Sequence, residues 1–195
     1  MNDPGRTRLL QDAYALLAEL WCNPAEMHAD DDGVKRRSGE VVARLASADR
    51  ESAALIDRFL SAEISEEEYI DLFELNPRCA LYLGSHSYAE PETCAGAAVS
   101  DRNEYLIELA GIYRHFGQVP NGVELPDYLP LMVDFLALTC ESNADPVRQK
   151  FLQEYFIPFL EPLRKRLEEL GTHYLWLLDA LKRVVHLEQA PAGAA

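Results

Sequence analysis

Apolar residues recur at spacings of three and four along most of this chain, and nowhere do they alternate with polar ones as in a half-buried strand. Leu10, Tyr14, Leu17 and Trp21 form one such face. Their spacing predicts a helix from Thr7 to Trp21, ended by Asn23-Pro24 because a residue before proline is pushed out of the helical region. His28 to Gly33 reads as a solvated connector. It lacks the alternating ligands and closing Glu of a calcium loop. Further helices are expected over 34–47 and 50–62. Ser65 and Glu68 then form a capping box, opening a helix that carries Tyr69, Leu72 and Phe73 on one side. Asp101 to Gly117 places Tyr105, Leu109, Ile112, Tyr113 and Phe116 inward.

A second proline-rich helix start follows. Pro126 fits a first helical position, so Pro130 would cost the next turn a hydrogen bond and leave it irregular. The helix running on to Cys140 turns Leu129, Met132, Val133 and Leu136 inward. Asp145-Pro146 is an N-cap followed by proline, Pro158 and Pro162 are expected to kink or restart the helix, and Gly171-Thr172 separates 163–170 from a last helix over 172–187. The expected fold class is all-α: a single-domain bundle of about eight short helices over 1–188, followed by a flexible Ala/Pro/Gly tail over 189–195.

Charge narrows the partners. The net charge is −15, and residues 63–145 hold 16 acidic against 3 basic side chains. Phosphate binding depends on Lys and Arg, so nucleic acid is excluded and a basic partner is favoured. No apolar run reaches the roughly 18 residues of a membrane span, and no secretory signal opens the chain, so a cytoplasmic protein is expected. The four cysteines, Cys22, Cys79, Cys94 and Cys140, form no C-x-x-C pair and read as reduced, mostly apolar side chains.

A catalytic set does not emerge. Ser85 and His86 adjoin in Gly84-Ser-His-Ser87 without the spacing of a nucleophile elbow. Phosphate-binding glycine motifs and H-E-x-x-H are missing, and the carboxylates at 66, 67, 68, 71 and 74 have no Glu-x-x-His partners for a di-metal site. The five histidines are dispersed. Neither an enzyme, a metal site nor a bound cofactor is expected.

Two stretches stand apart. Residues 76–100 break every periodic pattern, and so long an aperiodic stretch inside a domain is usually functional or disordered. The string Glu124-Leu125-Pro126-Asp127-Tyr128-Leu129-Pro130-Leu131 joins two helices and leads into an apolar one. Each residue has a local explanation, Asp127 as a favourable charge at a helix start and the prolines as geometry setters. The string as a whole resembles the hallmark of the NarJ branch of the NarJ/TorD family of molybdoenzyme assembly chaperones. Tyr69-Ile-Asp-Leu-Phe73, followed by Pro77 and Leu81-Tyr82-Leu83, is similar to a second family segment. The stretches 105–117 and 151–170 stand in family-like order, so the resemblance covers about 65–180. The TorD branch more often has histidine where this chain has Tyr128. After Tyr82 the chain departs from the nitrate reductase chaperones, with Tyr88-Ala-Glu-Pro-Glu-Thr-Cys94 in place of a basic, glycine-containing pattern, which leaves the client's identity open.

The resemblance implies a TorD-like helical fold and a non-catalytic, cytoplasmic chaperone. It would bind the N-terminal region of the catalytic subunit of a dimethyl sulfoxide reductase family molybdoenzyme. It would hold that subunit for molybdenum cofactor insertion before assembly or export, as a monomer or a dimer. In a helix-in-groove mode, Tyr69, Phe73, Tyr82, Tyr128 and Met132 would form an apolar floor, beside Leu125 and Pro126, while Glu124 and Asp127 meet basic groups. For Phe73 and Met132 a core role explains the residue equally well. The competing reading is a non-catalytic helical adaptor for an unrelated basic segment.

Overall fold

The computed structural model describes residues 3–27, 31–88, 100–119 and 122–190. In chain order the helices are α1 (Pro4–Leu20), α2 (Pro24–Met27), α3 (Asp31–Leu45), α4 (Arg50–Leu60), α5 (Glu66–Phe73), α6 (Asp101–His115), α7 (Leu129–Leu138), α8 (Pro146–Lys150), α9 (Ile157–Leu170) and α10 (Tyr174–Gln189). Short 3-10 turns occupy Leu83–His86 and Cys140–Ser142, and a π-helical turn spans Phe151–Phe156. Among the described residues there is no strand, only one isolated antiparallel bridge between Tyr82 and Tyr128. The expected all-α class holds.

Local chemistry explains most boundaries. Ser65 Oγ accepts from the Glu68 N–H at 3.1 Å, and the Asp145 carboxylate accepts from the Val147 N–H at 2.7 Å. Each satisfies a donor that the first turn leaves orphaned. α1 begins three residues earlier than the periodicity predicts, because Asp3 caps it and Pro4 pre-sets the helical φ. The predicted connector over 28–33 needs correction. Asp31, Asp32 and Gly33 already belong to α3, and residues 28–30 lie outside the described ones.

Some prolines also differ from expectation. Pro126 stays outside α7, in a turn closed by the Tyr128 N–H on Leu125 O at 3.0 Å. Pro130 then falls in the first turn of α7, where a missing N–H costs nothing and no irregularity is needed. Pro158 stands in the first turn of α9, which opens at Ile157 directly after the π-helical turn, so the expected restart falls here. The π-helical turn just before it widens the backbone where the proline ring would crowd the preceding carbonyl, and α9 runs on through Pro162 to Gly171, whose φ of 64° closes it.

α1 packs along α7 and also against α3 and α10, α10 covers α4, and α9 lies beside both α10 and the 83–86 turn. Trp21, Phe59, Tyr69, Phe73 and Tyr174 form an aromatic cluster where α1, α4, α5 and α10 meet, with Phe73 edge-on to Tyr174 at 4.7 Å. A buried ion pair ties the other end. Arg148 meets Glu188, its Nε donates to Thr139 Oγ1 at 2.9 Å, and the Tyr14 hydroxyl donates to Glu188 at 2.6 Å. Cys79 and Cys140 are buried, and burial pushes each thiol up to about 12.

Candidate binding site

The two distinctive strings meet. Leu129 donates its N–H to Leu81 O at 2.8 Å, and Leu83 donates to Asp127 O at 3.0 Å, so residues 81–83 and 127–129 pair as a minimal antiparallel ladder. Tyr82 and Tyr128 stand directly opposite one another. Side chains across such a pair leave on the same face, and here the two rings lie 5.5 Å apart. The Tyr82 hydroxyl donates to Glu124 Oε2 at 2.5 Å, which draws the start of the second string over the first. Burial and the Glu124 carboxylate both raise the Tyr82 hydroxyl above its ordinary range. Tyr82, Glu124, Pro126 and Tyr128 are half-buried and Leu125 is exposed, so this pair forms an accessible edge.

Asp127 lies beneath that edge with no exposed surface. Its Oδ2 accepts from the Gly84 N–H at 3.0 Å, the Arg102 guanidinium is 4.0 Å away, and its buried Oδ1 meets no hydrogen-bond donor among the described residues. Burial holds the carboxyl above its ordinary value, opposed by the Gly84 N–H and the Arg102 charge. Only glycine fits at 84, because an added Cβ would lie 2.8 Å from Asp127 Oδ2 and 3.3 Å from the Tyr105 ring. The Tyr113 hydroxyl fastens the string from the other side, donating to Pro126 O at 2.7 Å.

The remaining predicted residues stand behind the edge. Tyr69 is buried, its hydroxyl donating to Trp21 O at 3.1 Å and meeting that of Tyr128. Phe73 and Met132 belong to the core. The structure therefore brings together Tyr82, Glu124, Pro126, Asp127 and Tyr128, with Leu125 beside them, places Tyr69 as their support, and leaves Phe73 and Met132 in the packing behind.

Gly84, Arg102 and Tyr113 were not singled out as site residues. Gly84 had a visible signal, a glycine inside an aperiodic stretch, whereas nothing local marks Arg102 or Tyr113. Ser85 and His86 face different main-chain carbonyls, Tyr82 O at 2.6 Å and Ala80 O at 2.7 Å, and burial lowers the His86 pKa. Among the described residues no cluster of three metal-binding side chains forms. Cys94 and the rest of 89–99 lie outside them.

The described residues thus form an all-helical frame that presents a paired tyrosine edge over a buried carboxylate. The family model for the nitrate reductase delta subunit matches residues 42–175. The chain belongs to that family. Over 122 residues it is 28% identical to the nitrate reductase molybdenum cofactor assembly chaperone NarJ of Escherichia coli (strain K12), covering 63% of this chain and 46% of that protein. Over 121 residues it is 30% identical to the probable nitrate reductase molybdenum cofactor assembly chaperone NarJ of Bacillus subtilis (strain 168), covering 62% of this chain and 59% of that protein. The chain thus spans about half the length of the curated relatives it matches. Both relatives are named as assembly chaperones, not as catalysts.

Proposed function

We propose that this chain is a non-catalytic assembly chaperone for a molybdoenzyme. It binds the N-terminal region of the catalytic subunit and holds that subunit for molybdenum cofactor insertion before assembly or export. The observation that carries the reading is the main-chain pairing of the two strings that bear the family resemblance, which sets Tyr82 and Tyr128 side by side at an accessible edge. An amphipathic client segment lays its apolar side on the tyrosine rings, Leu125 and Pro126, while Glu124 faces its basic groups. Tyr69, Phe73 and Met132 shape the floor from behind. Asp127, fully buried, contributes by holding the 83–86 turn against the string. The work is done in the cytoplasm, and among the described residues no helix is long and apolar enough to cross a membrane.

Calorimetric titration with the N-terminal region of the co-encoded molybdoenzyme subunit tests this. Saturable binding is expected, and Tyr128→Ala is expected to weaken it by roughly tenfold or more, as for an aromatic anchor at an interface. Folded protein that ignores the segment at tens of micromolar would refute the reading.

A further inference from the structure

The helix α6 has two faces of different character. Its inner side buries Tyr105, Leu109 and Tyr113, while Glu104, Ile107, Gly111 and Arg114, at spacings of three, four and three, share the opposite side. Ile107 is 58% exposed. Among the described residues the other exposed large apolar side chains stand at helix ends or in connecting segments, and Ile107 alone sits in the middle of a helix. One turn further on, Gly111 presents bare backbone. A glycine inside a helix is unfavourable relative to alanine, yet an added Cβ here would meet nothing within 4 Å, so no close approach among the described residues requires it.

The charges on this side also lack partners within the chain. The three bases of the acidic stretch 63–145 are Arg78, Arg102 and Arg114. Arg78 pairs with Asp71 and Arg102 faces Asp127. Arg114 forms no ion pair among the described residues and turns its Nε back to Ala110 O at 3.1 Å. Glu104 is too far along the same helix to reach it, about 15 Å away at about 1.5 Å per residue.

A second copy of the same face supplies what is missing. Laid antiparallel with the twofold axis at the level of Leu109, two copies bring Ile107 of each to the height of Gly111 in the other. Glu104 of each comes to the height of Arg114 in the other. The branched side chain then meets a hole where the opposing backbone is bare, and opposite charges face one another at both ends. A parallel pair would instead set Arg114 against Arg114 and Glu104 against Glu104. Tyr113 and Tyr105 support the tyrosine edge from the inner side of α6, so pairing through the outer side leaves that edge uncovered. A contact along a single helix is smaller than a standard interface, and the net charge of −15 on each copy opposes approach, so the pair is weak, with a Kd on the order of tens of micromolar.

We propose that the outer face of α6 is a self-association surface, on which two copies pair antiparallel with Ile107 of each over Gly111 of the other and Glu104 beside Arg114 at both ends. The inference goes beyond the chaperone reading and does not depend on it.

Sedimentation velocity of the full chain near physiological salt, from about 5 to about 500 µM, is expected to show a monomer–dimer equilibrium. Ile107→Glu should weaken pairing by at least about tenfold. Arg114→Glu and Glu104→Arg should each weaken it by about fivefold, the second even though it makes the chain less negative, and the double exchange should return the constant to within about twofold of wild type. All three positions are exposed, and circular dichroism is expected to show the same helical content in every variant. Restoration by the double exchange, at unchanged net charge, cannot come from misfolding. A wild type that stays monomeric across the range, a dimer indifferent to Ile107→Glu, single exchanges without effect, or a double exchange that does not restore pairing would overturn the proposal.

Discussion

At the scale of single residues, Asp127 is the most informative. Sequence reasoning assigns it to a basic partner, yet the structure buries it under the edge, with one oxygen on the Gly84 N–H and the other without a donor among the described residues. Its charge is therefore a burden on the folded state. An unfolded chain releases this proton near pH 4, about the reference value for Asp, while the folded chain holds it to higher pH. Between those two values the unfolded state binds fewer protons, so this group's contribution to stability falls as pH rises and stays reduced above the folded pKa. Asp127→Asn removes that term and keeps an acceptor for Gly84. Its stability relative to wild type should climb from acid toward neutral pH in denaturant unfolding, and a constant difference would refute the assignment. Asp127→Ala, which strands the buried Gly84 N–H, should cost about 1–3 kcal/mol and also weaken client binding by loosening the turn. The type of residue 127 was legible as important. Its burial was not, because that depends on residues more than forty positions upstream folding over it.

At the scale of elements, caps carried most of the readable information. Ser65, Asp145 and Gly171 act where the sequence places them, since capping needs only neighbours a few positions away. Asp3-Pro4 has the same signature as Asp145-Pro146, so the early start of α1 was equally available. Ser65→Ala should destabilise the protein by about 1 kcal/mol in thermal or chemical unfolding, because α5 is what delivers Tyr69 and Phe73 to the aromatic cluster. A change within error would mean that packing alone holds α5. The π-helical turn at Phe151–Phe156 was not legible. Prolines announce a disturbance, but not whether a helix breaks, kinks or widens to absorb it.

At the scale of the whole molecule, the helical class follows from periodicity, whereas the way the helices come together does not. Arg148 and Glu188 are ordinary helix charges in the sequence and a buried pair in the fold, joining α8 to α10 and, through Tyr14 and Thr139, to α1 and the end of α7. Arg148→Met leaves Glu188 uncompensated in the interior and should cost about 3–5 kcal/mol, while replacing both partners by apolar residues of similar volume should cost far less. Equal losses in denaturant unfolding would show that the pair is not acting as a unit. The family resemblance reached the right family from two strings, and the structure adds that those strings form one surface.

That surface is the central claim, and site-specific crosslinking tests it most directly. A photoreactive phenylalanine analogue placed at Tyr82 or Tyr128, in the full chain co-expressed with the molybdoenzyme catalytic subunit, should crosslink to that subunit's N-terminal region. The same group at exposed Leu60, at the end of α4, should not. Crosslinks to the N-terminal region from Leu60 and none from either tyrosine would contradict the account.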